Sequence, residues 1–453
     1  MSLAPLCVAL MLLALGACSP AVSGEPSAAA PTPIPRQVTP GISVSDAEDI
    51  SGRISFMVFG DPAELRAYQE LVGAFERQHP EIDVELIHIP SQSEYRQRLS
   101  VDFVAGTPAN VVLLNYRRYA DYAAGDMLEP LEPYLSTSTV IHADDFYAKA
   151  IAPFRWRRQL MCIPQNISSL VVYYNKNLFD AAGVPYPSDD WTRDDFLRIA
   201  QQLTKDTNGD GRSDQHGLGI EPSLIRLAPF IWQHKGTLVE NPMLPWGLAL
   251  NSPEAIRAAQ WFVDLQVKYH VVPDAVEEKS EDSESRFLNG RLAMLLNSRR
   301  GVPTYRTITA FDWDVALLPK YKGRRSGILH ADGYCMTALT PLHLKQASWK
   351  FIEFANSPEG QTIVATTGRT VPSLTAVAES PAFLDPDAKP AHSRIFLTSI
   401  PSLRAVPVIE NWGDIESIAG DEIERAFYGS VSVTEALQSA VVRTEEYFRI
   451  SNP

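Results

Sequence analysis

Asp61 follows the strand-forming run Ile54-Ser55-Phe56-Met57-Val58-Phe59 and stands just before Pro62 and Glu64. At such a junction a carboxylate accepts a hydroxyl from a bound solute, while the first amides of the next helix supply the positive end of a dipole. A plain N-cap is the other reading, and the two are compatible. Asn115-Tyr116-Arg117 closes a second apolar run, Val111 to Leu114. An amide and a guanidinium there hold hydroxyls or carboxylates, and the tyrosine ring offers a stacking surface to a sugar ring, whose C–H face is partly apolar. A solvated turn is the alternative. Arg117 and Arg118 point to opposite sides of an extended segment, so at most one of them faces a given cavity. Asp206, Asn208, Asp210 and Asp214 have the alternate spacing of a calcium loop with Gly211 at the tight turn, but Gly217 stands where the bidentate acid belongs. A structural calcium and an Asx-rich turn are the two readings of that loop.

The motifs of catalysis are missing. There is no Gly-x-Ser-x-Gly elbow, P-loop or His-Glu-x-x-His stretch, Gly209 to Asp214 lacks the third glycine of a dinucleotide loop, and the 9 histidines are scattered. No cofactor is expected apart from the calcium alternative. With 40 Lys and Arg against 54 Asp and Glu the formal charge is −14, a field that repels phosphate backbones, so nucleic acid is not an expected partner. A chain of 453 residues, 45% hydrophobic and 21% charged, has the balance of a soluble globular protein with two or three compact units. Its 4 cysteines are too few to organise it as a disulfide scaffold.

The amino terminus reads as an address. Leu6 to Leu15 is too short for a membrane span, which needs roughly 20 residues, but suits the core of a signal peptide. It ends in Leu15-Gly16-Ala17-Cys18, which resembles a bacterial lipobox, implying cleavage before Cys18 and a diacylglycerol on its thiol. An ordinary secretory signal is the alternative, and the segment before the apolar run lacks Lys and Arg. Ser19 to Pro40 is dense in Ser, Ala, Pro and Thr and reads as an extended tether. The expected division is a signal peptide over 1–17 and a lipid-anchored linker over 18–52. Cys162 and Cys335 would then share an oxidising compartment, and the sequence leaves open whether they pair.

The elements that must position these groups follow an α/β order. A strand over Ile54 to Phe59 leads into a helix with Asp61 as N-cap, Pro62 at its first position and a capping box closed by Glu64. Its apolar stripe is Leu65, Tyr68, Leu71, Val72 and Phe75. Strand character over Ile82 to Ile89, a helix over Tyr95 to Ala105 and a strand over Val111 to Leu114 complete a β-α-β-α-β series, which implies a parallel sheet. A second series holds a strand over Leu170 to Tyr174, a helix over Asp195 to Thr204 capped by Thr192, and a helix opened by Ser252-Pro253-Glu254. Ser357-Pro358-Glu359 repeats that start signal.

On these segments the chain resembles the family 1 extracellular solute-binding proteins, the maltose-binding class that serves ABC importers. The resemblance runs from about Ile54 to Phe448. It is carried by Phe75-Glu76-Arg77-Gln78-His79-Pro80, Tyr173-Tyr174-Asn175-Lys176, the Asp206 to Gly211 loop, Phe287-Leu288-Asn289-Gly290-Arg291-Leu292-Ala293-Met294 and the tract from Trp349 to Pro372. It implies a two-lobed α/β fold of the type II periplasmic-binding class, with discontinuous lobes, 53–167 with 312–372 and 168–311 with 373–453. The hinge crossings are then expected near Ile167, Phe311 and Pro372.

The same resemblance implies a ligand cleft between the lobes, closing by hinge bending. It places Asn115, Tyr116 and Arg117 on one wall and Ser168 in the first crossing, where the maltose type has an acid. Arg226 and Trp232 fall on a cleft-wall helix, and Arg299 and Arg300 end a strand over Leu292 to Leu296. Asp332 and Gly333 stand at the return crossing, and Trp412 presents its ring to a sugar. For each the alternative is core or hinge packing. Should Arg117 and Arg299 both face inward, the solute would be acidic, such as a uronate or a phosphorylated polyol. The expected protein is thus a monomeric, non-enzymatic, lipid-anchored binder that hands a carbohydrate or related small solute to importer permease subunits. Two competitors stand beside it: a secreted glycan-active enzyme using paired carboxylates such as Asp61 and Asp332, and a receptor that senses without transport.

Overall fold

A computed structural model describes residues 50–451. The signal peptide, Cys18 and nearly all of the tether lie outside the described residues. Within them no helix is long and apolar enough to cross a membrane.

The first lobe is built on a five-stranded sheet. Strand β1 (Gly52–Phe59) is flanked by the parallel neighbours β2 (Ile82–Ile89) and β3 (Val111–Asn115), and the strand Asp332–Met336 runs antiparallel between β3 and Cys162–Pro164. The parallel part follows from the two crossovers, α1 (Pro62–Gln78) and α2 (Gln92–Val104), because a strand can pair parallel with its successor only through a connection that returns along the sheet. Helix α1 starts as its sequence dictates. Asp61 Oδ1 accepts from the Ala63 and Glu64 amides at 2.8 and 3.0 Å, the Glu64 carboxylate accepts from the Asp61 amide, and Pro62 occupies the first turn. Its stripe of Tyr68, Leu71, Val72 and Phe75 is buried against Phe56 and Phe351.

The second lobe centres on a three-stranded antiparallel sheet in which Leu170–Asn175 lies between Met294–Ser298 and Trp313–Ala316. Two corrections follow. The strand expected over Leu292 to Leu296 is displaced by two residues. Residues 313–316 pair with Val172 to Asn175, so the boundary at 312 and the crossing near Phe311 give way: Phe311 packs on Phe287 inside the second lobe, and the chain returns to the first sheet only after Ala316. Three segments lie side by side where the lobes join. Ser168 and His330 exchange backbone hydrogen bonds at 2.7 and 2.9 Å, and the Ile167 amide donates to the Val371 carbonyl. A disulfide joins Cys162 to Cys335 across paired strands, closing a sequence separation of 173 residues.

Candidate functional site

Between the lobes lies a cleft of about 430 Å³, with walls from both. The end of β3 supplies Asn115, and the turn after it supplies both Arg117 and Arg118, against the expectation that at most one would face the cavity, because the backbone is no longer extended past Asn115; the return strand supplies Asp332. The joining segments contribute Ser168, His330 and Thr370, and the second lobe contributes Arg226, Arg300 and Glu416. Strand ends gather here because both sheets terminate at the join, the position where open α/β sheets leave a crevice.

Seven of the residues singled out in the sequence meet in this cleft: Asn115, Arg117, Arg118, Ser168, Arg226, Arg300 and Asp332. Asn115 Nδ2 donates to Asp332 Oδ1 at 2.9 Å, and Asn115 Oδ1 accepts from the Arg117 amide at 3.1 Å and from its Nε at 3.2 Å. Asp332 Oδ2 also accepts from Asn166 Nδ2 at 3.2 Å. Arg117 Nη1 donates to Glu416 Oε1 at 2.5 Å. Burial alone would lower the Arg117 pKa, but its neighbours, the Glu416 carboxylate foremost, together outweigh it and hold the guanidinium above its ordinary value. Arg226 Nη2 lies 3.1 Å from Glu221 Oε2, while burial pulls its pKa down.

Three polar atoms in this cleft are buried without a partner among the described residues: Ser168 Oγ, Arg226 Nε and His330 Nε2. Burial pushes the His330 pKa well down, and the charges of Arg117, Arg226 and Arg300 push it further, so this ring is neutral. Buried polar atoms are ordinarily satisfied, and three orphans in one cavity mark a place that water or a solute completes.

Asp61 lies in an adjoining recess, also of about 430 Å³, lined by Arg300, Arg369 and Thr304. The N-cap reading of Asp61 holds, since Oδ1 caps the helix, and its Oδ2 accepts from Arg369 Nη1 at 2.6 Å. The same guanidinium meets Glu64 through Nε. Burial drives the Glu64 carboxyl up to about 7 against the pull of Arg369, and Asp61 and Asp332 add to the rise.

Four expected cleft residues are packed elsewhere. Tyr116 is fully buried and its hydroxyl accepts from the Val406 amide at 3.2 Å, because β3 ends at Asn115 and the chain turns there toward the core. Trp412 has no exposed surface. Its ring is sealed beneath the helix that it begins, with Nε1 donating to Glu416 Oε2 at 3.1 Å. Gly333 is a packing glycine, since a Cβ there would stand 2.9 Å from Phe154 Cζ. Arg299 is buried under Phe383 and Phe396, at 4.7 and 4.9 Å from their ring centres, and donates to the Gly368 carbonyl. A 3-10 turn over Arg299–Gly301 separates it from Arg300, so that Arg300 and not Arg299 lines the cleft. Trp232 is also buried, beneath the Arg404 guanidinium.

The 206–214 loop is an Asx-rich turn in which carboxylate oxygens accept backbone amides. Asp206 takes those of Gly209 and Gly211, Asp210 takes that of Arg212, and Asp214 takes those of Thr207 and Asn208. Among the described residues no three His, Cys, Asp or Glu side chains converge to hold a metal.

Sequence reasoning passed over His330, Glu416, Asn166 and Arg369. His330 carried a signal in hindsight, a lone histidine two positions before Asp332. Glu416 and Arg369 carried none, because each reaches the cleft from a distant part of the chain.

The profile of the bacterial extracellular solute-binding protein family matches residues 60–362. A binding protein of Brucella abortus is 23% identical over 394 residues, 83% of this chain and 89% of that one. An ABC substrate-binding protein of Listeria monocytogenes, solved with cycloalternan, superposes with a TM-score of 0.79 at 22% identity, covering 88% of this chain and 98% of that one. UgpB of Mycobacterium tuberculosis, solved with glycerophosphocholine, gives 0.75 at 20% identity, with 88% and 99% covered.

Proposed function

The chain belongs to the bacterial extracellular solute-binding protein family, and from that premise we propose that it captures a sugar or related polyhydroxyl solute between its lobes and delivers it, unchanged, to an ABC importer. The observation that carries this reading is the cleft itself, whose polar walls come from both lobes and enclose three unpartnered hydrogen-bonding atoms. A solute touching both walls stabilises the closed form over the open one, which gives a permease a shape to recognise. The Cys18 anchor belongs to the same proposal, as a tether that keeps the binder beside its permease.

The paired-carboxylate alternative gains nothing from the geometry. Asp61 is held by a helix cap and by Arg369, and Asp332 by two amides. Incubation of the purified protein with labelled sugars and sugar derivatives, followed by small-angle scattering, tests the reading. Recovery of intact bound solute with a smaller radius of gyration supports it. Net cleavage, or a scattering profile indifferent to every solute, overturns it.

A further inference from the structure

We infer that the solute carries an anionic group, a phosphate ester or a carboxylate, seated among Ser168, Arg226, Arg300 and His330; the inference rests on the capture reading above. Three observations converge on it.

The first is charge. The cleft is lined by six arginines and four acids, in a protein whose overall charge is −14. Each acid is already engaged: Glu64 by Arg369, Glu221 by Arg226, Glu416 by Arg117, and Asp332 by Asn115 and Asn166. Arg300 has no carboxylate partner among the described residues, yet it lines both the cleft and the adjoining recess. Its charge is therefore left over for a guest.

The second is the character of the orphan atoms. Ser168 Oγ–H, Arg226 Nε–H and, in its Nε2–H tautomer, the neutral His330 ring are all donors, and they are buried in the same cavity. A sugar hydroxyl answers a donor but brings a proton that needs an acceptor of its own. A phosphate or carboxylate is acceptor-only and can take several donors without leaving one unmatched.

The third is the wall material. Phe59 is the one phenyl ring among the cleft-lining residues, and the rings expected to form a stacking platform, Tyr116 and Trp412, are buried in the core, as is Trp232. Neutral oligosaccharides gain affinity largely by stacking on aromatic faces, and this cleft offers guanidinium groups in that role instead.

Calorimetric titration of the purified protein tests the inference with sn-glycerol 3-phosphate, glucose 6-phosphate, glucuronate and inorganic phosphate, each beside uncharged glycerol, glucose and maltose. At least one anionic polyol should bind at least about tenfold more tightly than its uncharged counterpart. That affinity should fall several-fold when salt rises from about 0.05 to 0.5 M. The phosphate and uronate arms separate the two anion classes, and inorganic phosphate shows whether the anion suffices alone. Arg300→Gln, on an exposed side chain that leaves the fold intact, and Ser168→Ala should each weaken the anionic solute by about fivefold or more, equivalent to losing one charge-assisted or buried hydrogen bond. Binding confined to uncharged sugars, or anionic binding unaffected by both variants, overturns the anionic assignment while leaving capture standing. A panel in which neither class binds overturns capture as well.

Discussion

Arg117 and Glu416 join the two lobes directly: the guanidinium at the end of β3 donates to the carboxylate on the helix Trp412–Phe427 at 2.5 Å, with side chains only 14% and 13% exposed. Glu416 also accepts from Trp412 Nε1 and lies 3.9 Å from Arg118. One carboxylate thus ties a strand end of the first lobe to a helix packed on the second.

Removing one member of a mostly buried ion pair leaves the other uncompensated, which costs more than the pair contributes. Glu416→Gln and Arg117→Met should each destabilise the protein by about 1–3 kcal/mol, and the double variant should lose less than the two singles combined. Urea unfolding of the four proteins measures this. Strict additivity would mean that the contact carries no coupling.

Glu64 sets a pH dependence. Its carboxyl titrates near 7 in the folded protein against 4.5 in the unfolded chain, because burial opposes its charge. The folded state then binds more protons between these values, so the contribution is fully present below about pH 4.5 and is lost as pH rises through about 7. Over that window the unfolding free energy should decline by up to about 3 kcal/mol from this group. Glu64→Gln should flatten the slope, and an unchanged slope in denaturant titrations from pH 4 to 8 would assign the dependence to other groups.

Trp412 is structural. Trp412→Ala should cost about 3–5 kcal/mol through the cavity that it leaves, as for any large buried aromatic. Trp412→Phe should recover most of that stability while solute affinity stays within about twofold. A selective loss of affinity at unchanged stability would return the ring to the binding surface.

The disulfide between Cys162 and Cys335 should leave both thiols unreactive in the unreduced, denatured protein. Replacing both with Ala should lower stability by about 2–4 kcal/mol, since the bond closes a long loop that the unfolded chain otherwise explores freely. Thiol titration and thermal unfolding check the two halves of this expectation.

The amino-acid order alone settled the local matters. The capping box at Asp61 and Glu64, Thr192 as the cap of Arg193–Leu203, the Asx turn as one reading of 206–214 and the α/β grammar were legible because each depends on residues within a few positions of one another. The family could be named for the same reason, from short motifs falling in order. Which side chains face the cleft was not legible. Arg299 and Arg300 are neighbours in the chain, and a single 3-10 turn sends one under Phe383 and the other to the cleft wall. Tyr116 and Trp412 carry the chemistry of a sugar platform, but packing between distant segments buried them, while Glu416 and His330 were brought in by the same packing. Local sequence fixes hydrogen bonds between near neighbours; the direction of a side chain at a lobe junction depends on where three crossing segments stack, and that is a property of the folded whole.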